Sequence, residues 1–149
     1  MTNKTVYIAS DHAGFPAKAV LAEKLINMGF ELCDLGPTSE DRVDYPDFAD
    51  LVSQSIKETP GSLGLLICGS GQGMAMRANK YTHIRAALCW NSESAKLSRQ
   101  HNDANVLCMG ARLLSEDQLL EILESFFRED FEGGRHQGRV EKISSMTTE

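Results

Sequence analysis

The sequence predicts an α/β fold: a three-layer α/β/α sandwich around a five-stranded parallel sheet, Rossmann-like in layout. Short apolar runs alternate with longer amphipathic ones along the whole chain, the pattern of strand–helix units. Each short run is bounded by Gly, Asn or Asp, and there is no repeat and no low-complexity linker. A length of 149 residues, with 42% hydrophobic and 24% charged residues, suits one domain with an ordinary core, so residues 1–149 are expected to form a single unit.

The expected strands, in order, are Val6–Ser10, Glu31–Leu35, Leu63–Cys68, Ile84–Cys89 and Asn105–Met109, each too short and too apolar for a surface helix. Between them, Pro16–Met28, Asp47–Glu58, Gln72–Lys80, Ser92–His101 and Ser115–Asp130 space Leu, Ile, Val, Ala and Phe at helical intervals. Gly29 is placed to close the first helix. Ser115 is placed to cap the fifth, with Gln118 three residues on completing a capping box. A last helical segment is expected over about 134–145, after the Gly133-Gly134 break. In such a fold ligands bind beyond the carboxyl ends of the strands, and the chemistry is sought there.

Composition removes several classes of function. A net charge of −6 opposes a nucleic-acid footprint, which needs clustered Lys and Arg. No stretch approaches the ~18 apolar residues of a membrane span, so a soluble, cytoplasmic protein with no nucleic-acid or membrane partner is expected. The four cysteines, Cys33, Cys68, Cys89 and Cys108, form no C-x-x-C pair and have no His at finger spacing. All four are read as reduced thiols, most of them packing as small hydrophobes, with no structural metal.

Three segments after strands, one helix exit and one distant segment carry candidate chemistry. Ser10-Asp11-His12-Ala13-Gly14 sets an acid and an imidazole at the first strand end, where Asp11 would otherwise serve only as a cap. Asp44-Tyr45-Pro46-Asp47 opens a helix with Pro and carboxylates in its first turn, and Tyr45 could pack or face a ligand. Cys68-Gly69-Ser70-Gly71-Gln72-Gly73-Met74 ends a buried strand in a thiol and turns through three glycines into a helix. It lacks the G-K-[ST] of a Walker A loop, and Met74 stands where a dinucleotide fingerprint needs glycine and a cysteine phosphatase needs arginine. What remains is a thiol beside unobstructed backbone N–H groups, an arrangement suited to a base or nucleophile next to a developing oxyanion. Ser98-Arg99-Gln100-His101-Asn102-Asp103 precedes the last strand, and Gly134-Arg135-His136-Gln137-Gly138-Arg139 puts two guanidinium groups on one helical face. Such a pair matches phosphate oxygens, or is a solvated face balanced by Glu132 and Glu141.

Together with Ala78-Asn79-Lys80 and Ile84-Arg85-Ala86, these segments resemble, in order and over almost the whole chain, the type B ribose-5-phosphate isomerases. The resemblance implies an aldose–ketose isomerase of the pentose phosphate pathway that interconverts ribose 5-phosphate and ribulose 5-phosphate through an enediolate, without metal or cofactor. It assigns Cys68 as the base, Ser70 and the amides of Gly69, Gly71 and Gly73 to the substrate oxygens, and His101, aided by Asp11, to ring opening. Asn102 and Tyr45 would meet the sugar, and His12, Arg112, Arg135 and Arg139 the phosphate, with His136 a neighbour. It also implies a homodimer, or a tetramer built from it, with active sites shared between copies. Ser70 stands where many members carry Thr, keeping the hydroxyl and losing a methyl. Some members instead place a carboxylate further along the loop, but Met74 and Ala75 leave Cys68 without that competitor. Rival readings are an isomerase of galactose 6-phosphate or allose 6-phosphate, and a sugar-phosphate sensor without catalysis. The arginine pair 135/139 favours the ribose substrate, since galactose-phosphate relatives usually lack it.

Overall fold

The computed structural model describes residues 4–148. The five strands β1 (Thr5–Ser10), β2 (Glu31–Asp34), β3 (Leu63–Cys68), β4 (Ala86–Leu88) and β5 (Val106–Gly110) are all parallel, in the order β2-β1-β3-β5-β4. They alternate with α1 (Phe15–Asn27), α2 (Tyr45–Glu58), α3 (Gln72–Ala78), α4 (Ser92–Asn102) and α5 (Glu116–Arg128). A 3₁₀ turn (Gly134–His136) then leads into α6 (Gln137–Ser144).

Strand periodicity divides the core in two. Leu63, Leu65 and Ile67 of β3, with Leu107 and Met109 of β5, face a cluster built from α1, α4 and α5. Leu66, Cys68, Val106 and Cys108 face Ala49, Val52 and Ile56 of α2 and Met74 and Ala78 of α3. The central strand β3 is buried from end to end, as a strand covered on both faces must be.

The helix ends agree with the local sequence. Gln118 N–H donates to Ser115 Oγ at 3.2 Å while the Gln118 side chain accepts from Ser115 N–H at 2.8 Å, the expected reciprocal cap. Gly29 follows α1 with φ +96, as a helix-closing glycine should. A second reciprocal cap, Asn91 with Ser94, opens α4.

Strand β4 is shorter than the expected Ile84–Cys89. Asn79 holds both backbone polar groups of Ala86, through bonds of 2.9 and 2.8 Å, and the Asn105 side chain accepts from Arg85 N–H at 2.7 Å. Asn79 thus covers β4 at Ala86, and Asn105 takes the Arg85 N–H that would otherwise join the ladder, while Arg85 O and Cys89 N–H still bond to the backbone beside β5.

Candidate active site

The chain passes from β1 outward to β2 and then returns to β3 on the other side of β1, so the loops after β1 and β3 diverge and open a crevice. Three adjacent strand ends meet there. Asp11 N–H donates to Ile67 O at 3.0 Å, and Ala111 and Arg112 N–H donate to Cys68 O and Gly69 O at 2.9 and 3.0 Å.

The turn 69–73 is fixed by close approach. Gly71 has φ +80, and a Cβ there would lie 2.8 Å from the Met109 carbonyl carbon. In that pose Gly71 N–H donates to Cys68 Sγ at 3.1 Å, and Gln72 N–H approaches Ser70 Oγ at 3.4 Å. The Gly71 amide therefore faces the sulfur rather than the crevice, a finer use of the glycine than an open oxyanion donor. A hydrogen bond of this kind stabilises negative charge on sulfur. Since α3 has only seven residues, this local donor matters more than an extended helix dipole.

Neighbouring groups close in on the turn. The Tyr45 ring lies against Gly73, occupying the place of a Cβ, and the Arg112 guanidinium lies across Gly69. Asp11 is buried and its Oδ1 accepts from Gly14 N–H at 3.0 Å, which fixes the turn before α1; the N-cap position itself is Gly14, so Asp11 does not cap the helix. Val43 N–H points at His12 Nδ1 at 3.4 Å, which makes Nδ1 an acceptor and leaves Nε2 to donate outward.

Burial pushes Cys89 up to about 11 and Cys108 well above the ordinary thiol range, so neither is a nucleophile at neutral pH. Cys33 is half-buried on β2.

The remaining predicted residues lie at the opposite end of the sheet. Helix α4 starts beyond the carboxyl end of β4 and ends before the amino end of β5, carrying His101 and Asn102 down with it. Strand β5 alone spans roughly 13 Å at ~3.3 Å per residue. His101, Asn102, Arg135, His136 and Arg139 are thus brought together with one another, and not with Asp11 or Cys68 of the same chain.

In this second group the His101 and His136 rings stack with centroids 4.3 Å apart. Glu132 stands between them, and its N–H donates to Gln100 O at 3.1 Å, docking the 129–136 loop on α4. Arg135 and Arg139 are exposed and, among the described residues, neither is paired with a carboxylate. Glu141 accepts instead from Gln137 at 3.0 Å. Burial pushes the His136 pKa down, with the Arg135 charge adding to the effect.

Sequence reasoning missed the groups that brace these two half-sites. Buried Lys18 donates to Asp34 Oδ1 at 2.8 Å and Pro37 O at 2.7 Å, pinning the start of the loop that leads to Tyr45. Asp103, with φ +47, accepts from Arg85 and Arg99 directly after Asn102. Only the run of polar residues 98–103 hinted at this clamp.

The site is thus that of a Rossmann-like α/β protein with a hydrogen-bonded thiol at its switch point and unpaired cations on a separate face. A family model described as Ribose/Galactose Isomerase matches residues 6–143. A probable ribose-5-phosphate isomerase B of Mycoplasma pneumoniae is 45% identical, covering 99% of this chain and 97% of its own. Ribose-5-phosphate isomerase B of Escherichia coli is 40% identical over 96% of each chain. The solved structure of ribose-5-phosphate isomerase B from Mycoplasma genitalium with bound ribulose 5-phosphate superposes with a TM-score of 0.92 at 42% identity, covering 97% of this chain and 96% of that one. The chain belongs to the ribose/galactose isomerase family, on its type B ribose-5-phosphate isomerase branch, and is an aldose–ketose isomerase. Among the described residues no helix is long and apolar enough to cross a membrane.

Proposed function

We propose that the chain interconverts ribose 5-phosphate and ribulose 5-phosphate through an enediolate, as a single-domain subunit of a cytoplasmic homodimer, with Cys68 as the base. The observation that carries this reading is the 3.1 Å contact from Gly71 N–H to Cys68 Sγ, which holds the thiol at the end of β3 beside the glycine turn. The thiolate removes the C2 proton of the open aldose and the electrons form the enediolate with charge on O1; a proton then passes from O2 to O1, and the thiol returns its proton to C1, leaving the carbonyl at C2. Ser70 and the amides of Gly69 and Gly73 attend the oxygens that gain charge.

His101 opens the furanose ring with help from Asp11, and Asn102 holds sugar hydroxyls. Because these groups lie at opposite ends of one sheet, a second copy must bring its His101 to the first copy's Cys68. Arg135 and Arg139 of one copy then join His12 and Arg112 of the other around the phosphate, which accounts for two exposed arginines without a carboxylate partner. Exposed Trp90, Met76, Leu97 and Leu113 supply apolar area for such an association. No step requires a metal or cofactor.

Three measurements test the reading. Cys68→Ala should lose isomerase activity by at least about 10²-fold while folding normally, and full activity in that variant would remove the base. In deuterated water, solvent deuterium should enter C2 of the aldose. Comparison of ribose 5-phosphate with allose 6-phosphate and galactose 6-phosphate decides the substrate, and preference for the galactose ester would overturn the assignment.

A further inference from the structure

We propose that His101, Glu132 and His136 form a binding site for a borderline divalent transition-metal ion such as zinc, distinct from any need of the isomerisation itself. Each imidazole Nε2 lies 3.7 Å from the same carboxylate oxygen, Glu132 Oε1, and the three donor atoms lie within 4.8 Å of one another. At 3.7 Å neither nitrogen is hydrogen-bonded to that oxygen. Two imidazoles and one carboxylate are a common zinc donor set, and with bonds of about 2.0 Å a tetrahedral ion holds its ligands about 3.3 Å apart.

Binding therefore needs a closure of a few tenths of an ångström along the two carboxylate edges and a larger one between the rings. The rings stack at an interplanar angle of 15°, so one must also rotate for the lone pairs to converge. The side chains have room for this, since His101 is 37% and Glu132 52% exposed. His136, 8% exposed, is the fixed member.

The backbone holds the three groups in register. His136 N–H donates to Gly133 O at 3.0 Å, and Glu132 N–H donates to the end of α4 at Gln100. Arg135 and Arg139 oppose a cation and weaken its binding. The site is soft enough for zinc, cobalt(II) or nickel(II), and too poor in oxygen ligands for magnesium or calcium.

One consequence rests on the function proposed above: an ion that takes His101 Nε2 removes the ring-opening group, so zinc inhibits the isomerase. The test uses the full metal-free chain at neutral pH, titrated with zinc chloride against a competing chromophoric chelator. One zinc per chain is expected, unaffected by Cys68→Ala and weakened at least about tenfold by Glu132→Gln and by His136→Asn. Cobalt(II) should show d–d absorption without a thiolate charge-transfer band. Absence of binding, loss of binding in Cys68→Ala, or indifference to Glu132→Gln would each overturn the site. Glu132→Gln is isosteric and exposed, so it tests the proposal even if His136→Asn fails to fold.

Inhibition is read separately, as the loss of ribose 5-phosphate turnover over the same zinc range and its recovery with chelator. Zinc bound at the cluster without effect on turnover would overturn the inhibitory consequence alone. A metal-free chain that does not turn over ribose 5-phosphate would overturn the functional reading and leave the metal site to stand on its titration.

Discussion

Gly71→Ala should be destabilising and inactivating, and Gly61→Ala separates the two causes. Both glycines have left-handed φ, +80 at Gly71 and +87 at Gly61, so an alanine meets the same dihedral strain of about 1 kcal/mol at either position. At Gly61 nothing lies within 4 Å of the new Cβ. At Gly71 it would stand 2.7 Å from Leu88 Cδ1, 2.8 Å from the Met109 carbonyl carbon and 3.0 Å from its oxygen. The leucine can move, but the β5 backbone cannot without disturbing its ladder. That overpacking adds roughly 2 kcal/mol, for a total of about 3. Calorimetry should find Tm lowered by roughly 6–12 °C in Gly71→Ala and by about 2–4 °C in Gly61→Ala. Turnover should fall about 10²-fold in the former, because the amide leaves Cys68 Sγ, and stay near wild type in the latter. Equal Tm losses in the two variants would refute the claim that the turn is locked by contact with β5.

Three further outcomes follow from the bracing groups. Lys18→Met should lower stability by about 1–3 kcal/mol in urea unfolding with an unchanged m-value, since Pro37 O and Asp34 lose their donor; an unshifted midpoint would contradict this. Asp103→Ala should cost about 1 kcal/mol more than Asp103→Gly, because both lose the two arginine contacts and only alanine is strained at φ +47; equal losses would remove the dihedral argument. The depressed pKa of His136 means that the unfolded chain binds its proton first on acidification. Stability should therefore fall as pH drops below the ordinary histidine value of about 6.5, with a shallower fall in His136→Asn, and an identical pH profile would contradict the assignment.

The parts of the fold that depend on neighbours in sequence were legible there. The alternating apolar runs locate all five strands, and Ser115 with Gln118 announces a helix start that the structure confirms. The bracing of β4 was not legible, because Asn79 and Asn105 act through side chains that reach across space. Strand order is likewise a property of the crossovers, and no local pattern encodes that β5 lies between β3 and β4.

The candidate site divides in the same way. Cys68 and its glycines form one continuous segment, so their adjacency needed no structure. Lys18 with Asp34, and His101 with Glu132 and His136, join residues 16 to 35 positions apart and could not be paired from spacing. Both half-sites were identified by residue type, but only the direction of α4 shows that one chain keeps them apart.

That separation is tested most directly by mixing subunits. Cys68→Ala and His101→Asn chains, each inactive alone, are unfolded together and refolded in equal amounts, and turnover of ribose 5-phosphate is measured. In a two-fold dimer with shared sites, half of the dimers are mixed and each carries one site with both Cys68 and His101 intact. About a quarter of wild-type activity should return. A mixture as inactive as its components would contradict a site in which the thiol of one copy works with the imidazole of another.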